Sequence, residues 1–210
     1  MQTRPERKDA AEHRRLILRT AESLFSEYGV GEVSMHQIAK SAGIGQGTLY
    51  RKYAHKGELC LEILIEYSRD FLDSVREYLA EHREEPAEQR LGWLLDSWIE
   101  LIETHSELIL SIQSHLHQEK VTAKSGNFFD SELFRCFREQ ISSLLAEISA
   151  REPGLRQDPQ LAAHSLICAM LPLGYYHLKK EFGRTTRQMK NHFRLMCRLP
   201  ALDEDLTPLG

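Results

Sequence analysis

Two short helical patterns separated by a glycine turn occupy residues 34–56, and no other stretch constrains the fold as strongly. The stretch reads SMHQIAKSAGIGQGTLYRKYAHK. Gly43 lies in the turn Ala42-Gly43-Ile44, where a glycine can adopt the positive φ that ends a helix. We therefore predict a helix-turn-helix over about residues 34–53.

The first helix of this motif has an apolar face and a cap. Met35, Ile38 and Ala42 recur at spacings of three and four, so they share one side of a helix. Ser34 precedes them and can cap the helix, and Gln37 completes the spacing of a capping box.

The second helix is predicted to pack through an apolar inner face and to present a polar outer face. Leu49 and Tyr53 share its inner face, and Ile44 can pack beneath its start. A helix of about two turns is not stable alone and needs such packing. This combination is typical of a recognition helix, whose N-terminal residues reach base edges in the DNA major groove. The opposite face is polar and rich in hydrogen-bond donors: Gln46, Gly47, Tyr50 and Arg51.

The run IAKSAGIGQGTLYRKYAHKGEL resembles the helix-turn-helix signature of the TetR family of bacterial transcriptional regulators. Two positions differ from the family pattern. Gly45 stands where a side-chain cap such as Ser is commoner, and Tyr53 replaces the commoner Phe. The resemblance covers roughly the first 65 residues, and the rest is similar only in length and helical character. The matching residues are Ile38-Ala39, Ala42-Gly43-Ile44, Gly47-Thr48-Leu49-Tyr50, Tyr53, Lys56 and Glu58-Leu59.

Side-chain chemistry and the resemblance together predict the DNA contacts. Gln46 is suited to an adenine edge, and His36 projects towards the groove edge. Gly47 and Thr48 allow close approach of the helix. The predicted phosphate partners are Tyr50, Arg51, Lys52 and Lys56. The family pattern, carried over position by position, implies six of the eight contacts: His36, Gln46, Gly47, Thr48, Tyr50 and Lys56.

The charge distribution favours the same end of the chain. Residues 1–57 hold ten Lys and Arg against six Asp and Glu, although the whole chain has a net charge of −4. A basic head on an acidic body concentrates the attraction for phosphate at one end.

The remaining sequence predicts an all-α fold, in which a three-helix head (residues 1–55) is joined to a six-helix ligand-binding and dimerisation body (residues 56–210). Residues 1–9 are expected to form a mobile arm, and residues 119–129 a loop. The expected helices besides the motif are 9–28, 56–82, 86–103, one through 108–116, 130–151, 159–182 and 185–198.

The last two long helices are predicted to form a four-helix bundle with their copies in a homodimer. The first of them is apolar around most of its circumference, which exceeds what one subunit needs to bury. The resemblance implies the same dimer, and the alternative is burial within one subunit. Pro172 and Gly174 should bend this helix. The predicted interface residues are Leu166, Met170, Leu173, Met189, Phe193 and Met196.

A small-molecule pocket in the body is implied by the resemblance. Polar residues within apolar stretches support it, although aromatic residues at helical spacing are more often core. An effector is expected to act on the head by shifting the fourth helix through a hinge near Lys56. The candidate lining residues are Tyr67, Phe71, Trp98, His105, His115, Phe134, Phe137 and Tyr175.

Other chemistry is not indicated. No phosphate-binding glycine loop, nucleophile elbow or acid/base pair occurs, so we predict no enzyme and no cofactor. His115 and Glu119 share a helix face but His117 does not, so we predict no metal site. The four cysteines are widely spaced and no leader or membrane span is evident, so a cytoplasmic protein with reduced thiols is expected. A redox-sensing cysteine is the alternative, and Cys168 is expected to be a small buried hydrophobe.

The sequence thus predicts a dimeric repressor that binds a palindromic operator and is released by a small molecule. The alternatives are a ligand-independent architectural DNA-binding factor and a helical enzyme or ligand carrier.

Overall fold

The computed structural model describes residues 4–118, 128–151, 158–200 and 202, with side chains placed for 11–114, 129–151, 158–200 and 202. Throughout this part the secondary structure is helical, which confirms the predicted all-α class. A short 3₁₀ turn, Phe128–Asp130, precedes the seventh helix. The helices are α1 Arg4–Tyr28, α2 Met35–Ser41, α3 Gln46–Lys52, α4 Lys56–Glu81, α5 Ala87–Thr104, α6 Ser106–Gln118, α7 Glu132–Arg151, α8 Pro159–Ala169, α9 Pro172–Glu181 and α10 Thr186–Met196.

Two regions differ from the prediction near the chain start and before α7. Helix α1 begins at Arg4, so the stretch predicted as an arm is helical from that residue onward. Residues 1–3 lie outside the described part. The predicted loop at 119–129 falls outside it up to residue 127, and its last two residues belong to the 3₁₀ turn.

The predicted helix 159–182 is two helices, which is a correction to the sequence analysis. Helix α8 ends with Met170 as its C-terminal cap, and α9 starts afresh with Leu171 as its N-terminal cap. Pro172 occupies the first turn of α9, where its missing N–H leaves no hydrogen bond unmade. In the described part of the chain, seven helices therefore follow α3, rather than six.

The chain divides into two compact units. The first combines residues 1–67 with 105–124, and the second combines 68–104 with 125–210. The predicted boundary between residues 55 and 56 does not coincide with this division, because the first half of α4 and the described part of α6 lie with the helix-turn-helix. The functional assignment of the two predicted domains stays a prediction.

The first unit has one apolar core, to which all five of its helices contribute. Leu18 belongs to it, whereas Tyr28 at the end of α1 is 56% exposed. Residues of α4 and α6 share this core with α1, α2 and α3. Its central buried side chains are Ile17, Leu18, Ala21, Ile38, Leu49, Tyr53, Leu59, Cys60, Ile63 and Leu108.

The second unit is built around α5, which packs against α7 and α10. Trp98 of α5 stacks on Phe137 of α7, with ring centroids 4.6 Å apart, and its indole N–H donates to the Met170 carbonyl at 3.1 Å. Phe71 lies 6.0 Å from both rings. This aromatic cluster fixes the position of α5 between α7 and the end of α8.

Helix α10 is attached to α5 by charged side chains as well as by its apolar face. Arg194 pairs with Asp96 at 2.6 Å, and Lys190 pairs with Glu100. A Cβ on Gly92 would lie 2.8 Å from the Arg194 guanidinium nitrogens, so the glycine provides the space that Arg194 occupies.

All four cysteines are free thiols. Cys60 is buried, whereas Cys168, the expected buried hydrophobe, is only partly buried. In the described part of the chain, no helix combines the length and apolarity needed to cross a membrane.

Candidate nucleic-acid interface

Helix α2 starts with the capping box that its sequence predicts. The Ser34 hydroxyl accepts the Gln37 backbone N–H at 3.2 Å, and the Gln37 side-chain oxygen accepts the Ser34 N–H at 2.8 Å. Met35, Ile38 and Ala39 are buried beneath it. These two reciprocal bonds define where the helix begins, and the buried side chains define which way it faces.

The turn between α2 and α3 depends on Gly43. Its φ is +66°, a left-handed conformation that costs other residues energy. The Ile44 N–H then bonds back to the Ala39 carbonyl at 3.0 Å, which closes the end of α2. Gly45 is the N-terminal cap of α3, and its carbonyl accepts the Thr48 N–H at 2.9 Å.

Helix α3 is anchored by two side chains and otherwise faces solvent. Leu49 is fully buried and Tyr53, just after the helix, is 3% exposed, which confirms the predicted inner face. A Cβ added to Gly47 would meet nothing within 4 Å, so the outer surface there is open. Six predicted DNA contacts on this helix are exposed: Gln46, Gly47, Thr48, Tyr50, Arg51 and Lys52.

Gln46, predicted to contact a base edge, is hydrogen-bonded to His36, predicted to lie at the edge of the groove. The Gln46 side-chain NH₂ donates to Nδ1 of His36, which is also exposed. Because an amide NH₂ can only donate, Nδ1 of His36 is the acceptor in this bond. Gln46 keeps its amide oxygen and one N–H, the pair of groups that an adenine edge requires.

Lys56, predicted to contact phosphate, is engaged inside the protein. Its ammonium lies 2.6 Å from the Val30 carbonyl, 2.9 Å from that of Val33 and 3.3 Å from that of Gly31. Helix α6 holds the same turn, because Glu107 accepts the Val30 N–H at 2.7 Å. Sequence reasoning missed Glu107, since a glutamate on a distant helix carries no local sign of this contact.

Basic residues of α1 are partly committed to ion pairs. Arg14 bonds to Glu62 and lies 2.9 Å from Glu66, both on α4. Arg15 and Arg19 are exposed. The Lys52 ammonium lies 5.9 Å from the Tyr53 ring centroid, and burial is the main cause that lowers the pKa of Lys52.

The structure places the predicted ligand-binding residues in two separate groups. Tyr67 and His105 stack at 4.1 Å in the first unit. The side chain of His115 lies outside the described part, as do those of His117 and Glu119. The other five candidates are buried side chains of the second unit: Phe71, Trp98, Phe134, Phe137 and Tyr175.

A cavity of about 330 Å³ lies elsewhere in the second unit, and none of the eight candidates lines it. It is a half-open groove between α7, α8 and α10, with Leu166 and Met196 among its walls. The remaining lining residues are Leu145, Asp158, Leu161, Ala162, Ser165 and Cys197.

Four of the six predicted dimer residues are buried within their own unit, namely Leu166, Met170, Met189 and Phe193. The other two are exposed, Leu173 at 66% and Met196 at 55%. Further large apolar side chains are exposed on the same helices or next to them: Leu161, Phe182 and Leu195.

Known proteins resemble the chain over its head in sequence and over most of its length in fold. Residues 17–63 match the family model described as "Bacterial regulatory proteins, tetR family". An HTH-type transcriptional regulator of Staphylococcus aureus (strain bovine RF122 / ET3-1) is 50% identical over 58 residues, which are 28% of this chain and 31% of that protein. The chain thus matches less than half the length of this relative.

Solved structures extend the likeness to the whole fold. FadR from Thermus thermophilus, a TetR-family transcriptional repressor in complex with lauroyl-CoA, has a TM-score of 0.58 at 22% identity over 94% of this chain and 100% of its own. FadR from Bacillus subtilis, in complex with stearoyl-CoA, has a TM-score of 0.57 at 17% identity over 87% and 96%. Residues 17–63 thus match the tetR family of bacterial regulatory proteins, and the all-helical architecture of the chain is similar to that of these two solved structures.

Proposed function

We propose that the chain regulates transcription by binding operator DNA through α2 and α3, as a repressor. One observation carries this proposal: α3 is anchored by Leu49 and Tyr53 while its outer face, with Gln46 bonded to His36, is exposed. A short helix that is anchored by buried side chains and has a polar outer face is typical of a recognition helix, whose side chains contact base edges.

The proposed contacts fall into two classes. Gln46 and His36 face base edges, and Gly47 and Thr48 let the helix lie close to them. Tyr50, Arg51 and Lys52 contact phosphates, which position the helix and carry no sequence information. Affinity should therefore fall steeply with salt, whereas base preference should depend on few residues.

The operator is proposed to be a palindrome bound by a homodimer. Two recognition helices then enter major grooves about 34–36 Å apart. The exposed side chains Leu161 and Met196, which line one cavity, and the exposed Leu173 are the proposed dimer contacts.

Binding selection from random DNA, followed by gel shift at moderate salt, tests the DNA-binding proposal. We expect an enriched palindrome and a complex with two chains per duplex, measured by light scattering. Leu173→Glu with Met196→Glu should yield a monomer that binds a half-site only. Recovery of no enriched sequence would reject a sequence-specific regulator.

A small-molecule effector is proposed to release the DNA. The half-open groove between α7, α8 and α10, about 330 Å³, has the mostly apolar lining of a ligand site, and it borders the proposed dimer contacts Leu161 and Met196. Two fold relatives are described as bound to lauroyl-CoA and stearoyl-CoA, so acyl-CoA thioesters are the first effectors to test. An effector lowers DNA affinity only if it binds the DNA-free arrangement more tightly.

The effector test is a titration of the protein–operator complex with lauroyl-CoA, stearoyl-CoA and free CoA. Release by the thioesters but not by CoA supports an acyl-chain site. Ser165→Trp, which fills the cavity, should abolish release and leave DNA binding unchanged.

A ligand-independent DNA-binding factor is the second candidate. It is favoured by the packing of Trp98, Phe137 and Phe71 against one another, because rings in mutual contact form a filled core. This candidate predicts that neither the thioesters nor a small-molecule library changes operator affinity or thermal stability.

A further inference from the structure

The turn between α1 and α2 is held from two sides by residues distant in the sequence. Lys56, the first residue of α4, donates to the carbonyls of Val30, Gly31 and Val33. Glu107, near the start of α6, accepts the N–H of Val30. Both polar backbone groups of Val30 thus have side-chain partners, and the residue itself is 5% exposed.

An ammonium group has three N–H donors and no acceptor. The three carbonyls around Lys56 lie at 2.6, 2.9 and 3.3 Å, so each donor of the group has a partner within the protein. A phosphate contact would have to replace at least one of these bonds. The position of Lys56 therefore suits a residue that orders the backbone rather than one that contacts DNA directly.

The turn leads directly into α2, which is followed by the recognition helix α3. Ser34, which caps α2, follows Val33, and α2 packs on both α1 and α3. The path of residues 29–34 sets the angle at which α2 leaves α1, and hence the direction in which α3 faces. Gly29 ends α1 at a φ of +83°, and the side-chain contacts fix the backbone immediately after it.

We propose that Lys56 and Glu107 are positioning residues, which clamp the α1–α2 turn and so orient the recognition helix without contacting DNA. This inference rests on the proposed DNA-binding function and changes the role predicted for Lys56. The clamp joins α4 and α6 to the turn, so the orientation of the recognition helix α3 depends on helices outside the helix-turn-helix.

The decisive measurement is the salt dependence of operator affinity. Removing one phosphate partner from the protein lowers the slope of log K against log salt by about 0.9. Lys56→Met removes the three donors and retains the stem, so we expect affinity to fall by about tenfold with an unchanged slope. Lys52→Met is the matched control, because it removes an exposed lysine of α3 and should reduce the slope.

Glu107 provides an independent variant pair. Glu107→Gln keeps an oxygen that can accept the Val30 N–H and should retain near-normal affinity, whereas Glu107→Ala should lose affinity as Lys56→Met does. Hydrogen exchange of the Val30 amide should accelerate in Glu107→Ala and not in Glu107→Gln. This exchange measurement needs no DNA and remains informative where Lys56→Met fails to fold.

A slope reduced by about 0.9 in Lys56→Met would identify a phosphate contact and overturn the inference. Unchanged affinity in both Lys56→Met and Glu107→Ala would overturn it as well. If the unmodified protein selects no operator, the proposed function fails, while equal Val30 exchange in the two Glu107 variants would separately reject the clamp.

Discussion

The side-chain amide of Gln46 donates a hydrogen bond to Nδ1 of His36, which joins the outer faces of the two helices of the motif. The bond restrains both side chains before DNA arrives, so less side-chain freedom is lost on binding. It also predicts that the two residues act together.

Base preference should therefore depend on the Gln46–His36 pair. Gln46→Ala is expected to cost about 1–3 kcal/mol at one base position and to relax preference there. His36→Ala should weaken the same position, and the double variant should lose less than the sum. Competition gel shifts with single-base operator variants measure this, with the exposed Ser41→Ala as control. Additive losses would contradict a coupled pair.

Gly47 should limit how closely α3 can approach DNA. Gly47→Ala places a methyl group in open space within a helix, so we expect the free energy of unfolding to rise by about 0.5–1 kcal/mol. Operator affinity should fall at the same time, because the methyl group meets the DNA. Urea unfolding and gel shift on one preparation test both effects. Unchanged affinity would remove Gly47 from the interface.

Replacing Gly92 with alanine should lower the free energy of unfolding. Gly92→Ala puts a Cβ 2.8 Å from the Arg194 guanidinium, which must move away from Asp96. The guanidinium ends a flexible side chain and alanine favours a helix, so the lost Arg194–Asp96 bond should leave a net loss of at most about 1 kcal/mol in the free energy of unfolding, opposite in sign to Gly47→Ala. Urea unfolding compares the two alanine variants directly. A stabilised Gly92→Ala would show that Arg194 relocates without cost.

His105 should make stability fall in mild acid. Burial against Tyr67 lowers the pKa of His105, so the unfolded chain takes up a proton at a higher pH than the folded one. Stability is then complete above about pH 6.5 and decreases as the pH falls towards the lowered pKa, by at most about 1.4 kcal/mol per pH unit.

The measurement for His105 is urea unfolding at several pH values, with His105→Phe as the comparison because it retains an aromatic ring without a titratable group. The difference between the two proteins should grow below about pH 6.5 in favour of the variant. Parallel pH profiles would contradict a lowered pKa for the partly buried His105.

The local features of the helix-turn-helix were predictable from sequence. The capping box of Ser34 and Gln37, the positive φ of Gly43 and the inward face of Leu49 and Tyr53 all agree with the structure. Each arises from residues a few positions apart, so helical periodicity and turn chemistry suffice to specify it.

The body was less predictable. The apolar run at 159–182 indicated a helix, but the break at Leu171 and Pro172 yields two. Trp98 and Phe137, two candidate pocket residues, stack on each other, and their contact with a ligand stays a prediction. Periodicity tells which side chains are buried, whereas the partner that buries them is not encoded in spacing.

The sequence by itself determined the helical class, the helix-turn-helix and the polar face of α3, since these follow from short-range spacing. Only the tertiary structure decided what Lys56 and Arg194 do. Lys56 reaches a carbonyl 26 residues away, and Arg194 reaches a carboxylate 98 residues away. A charged side chain can serve DNA, solvent or a distant backbone group equally well, and only folding brings one of these within hydrogen-bonding distance.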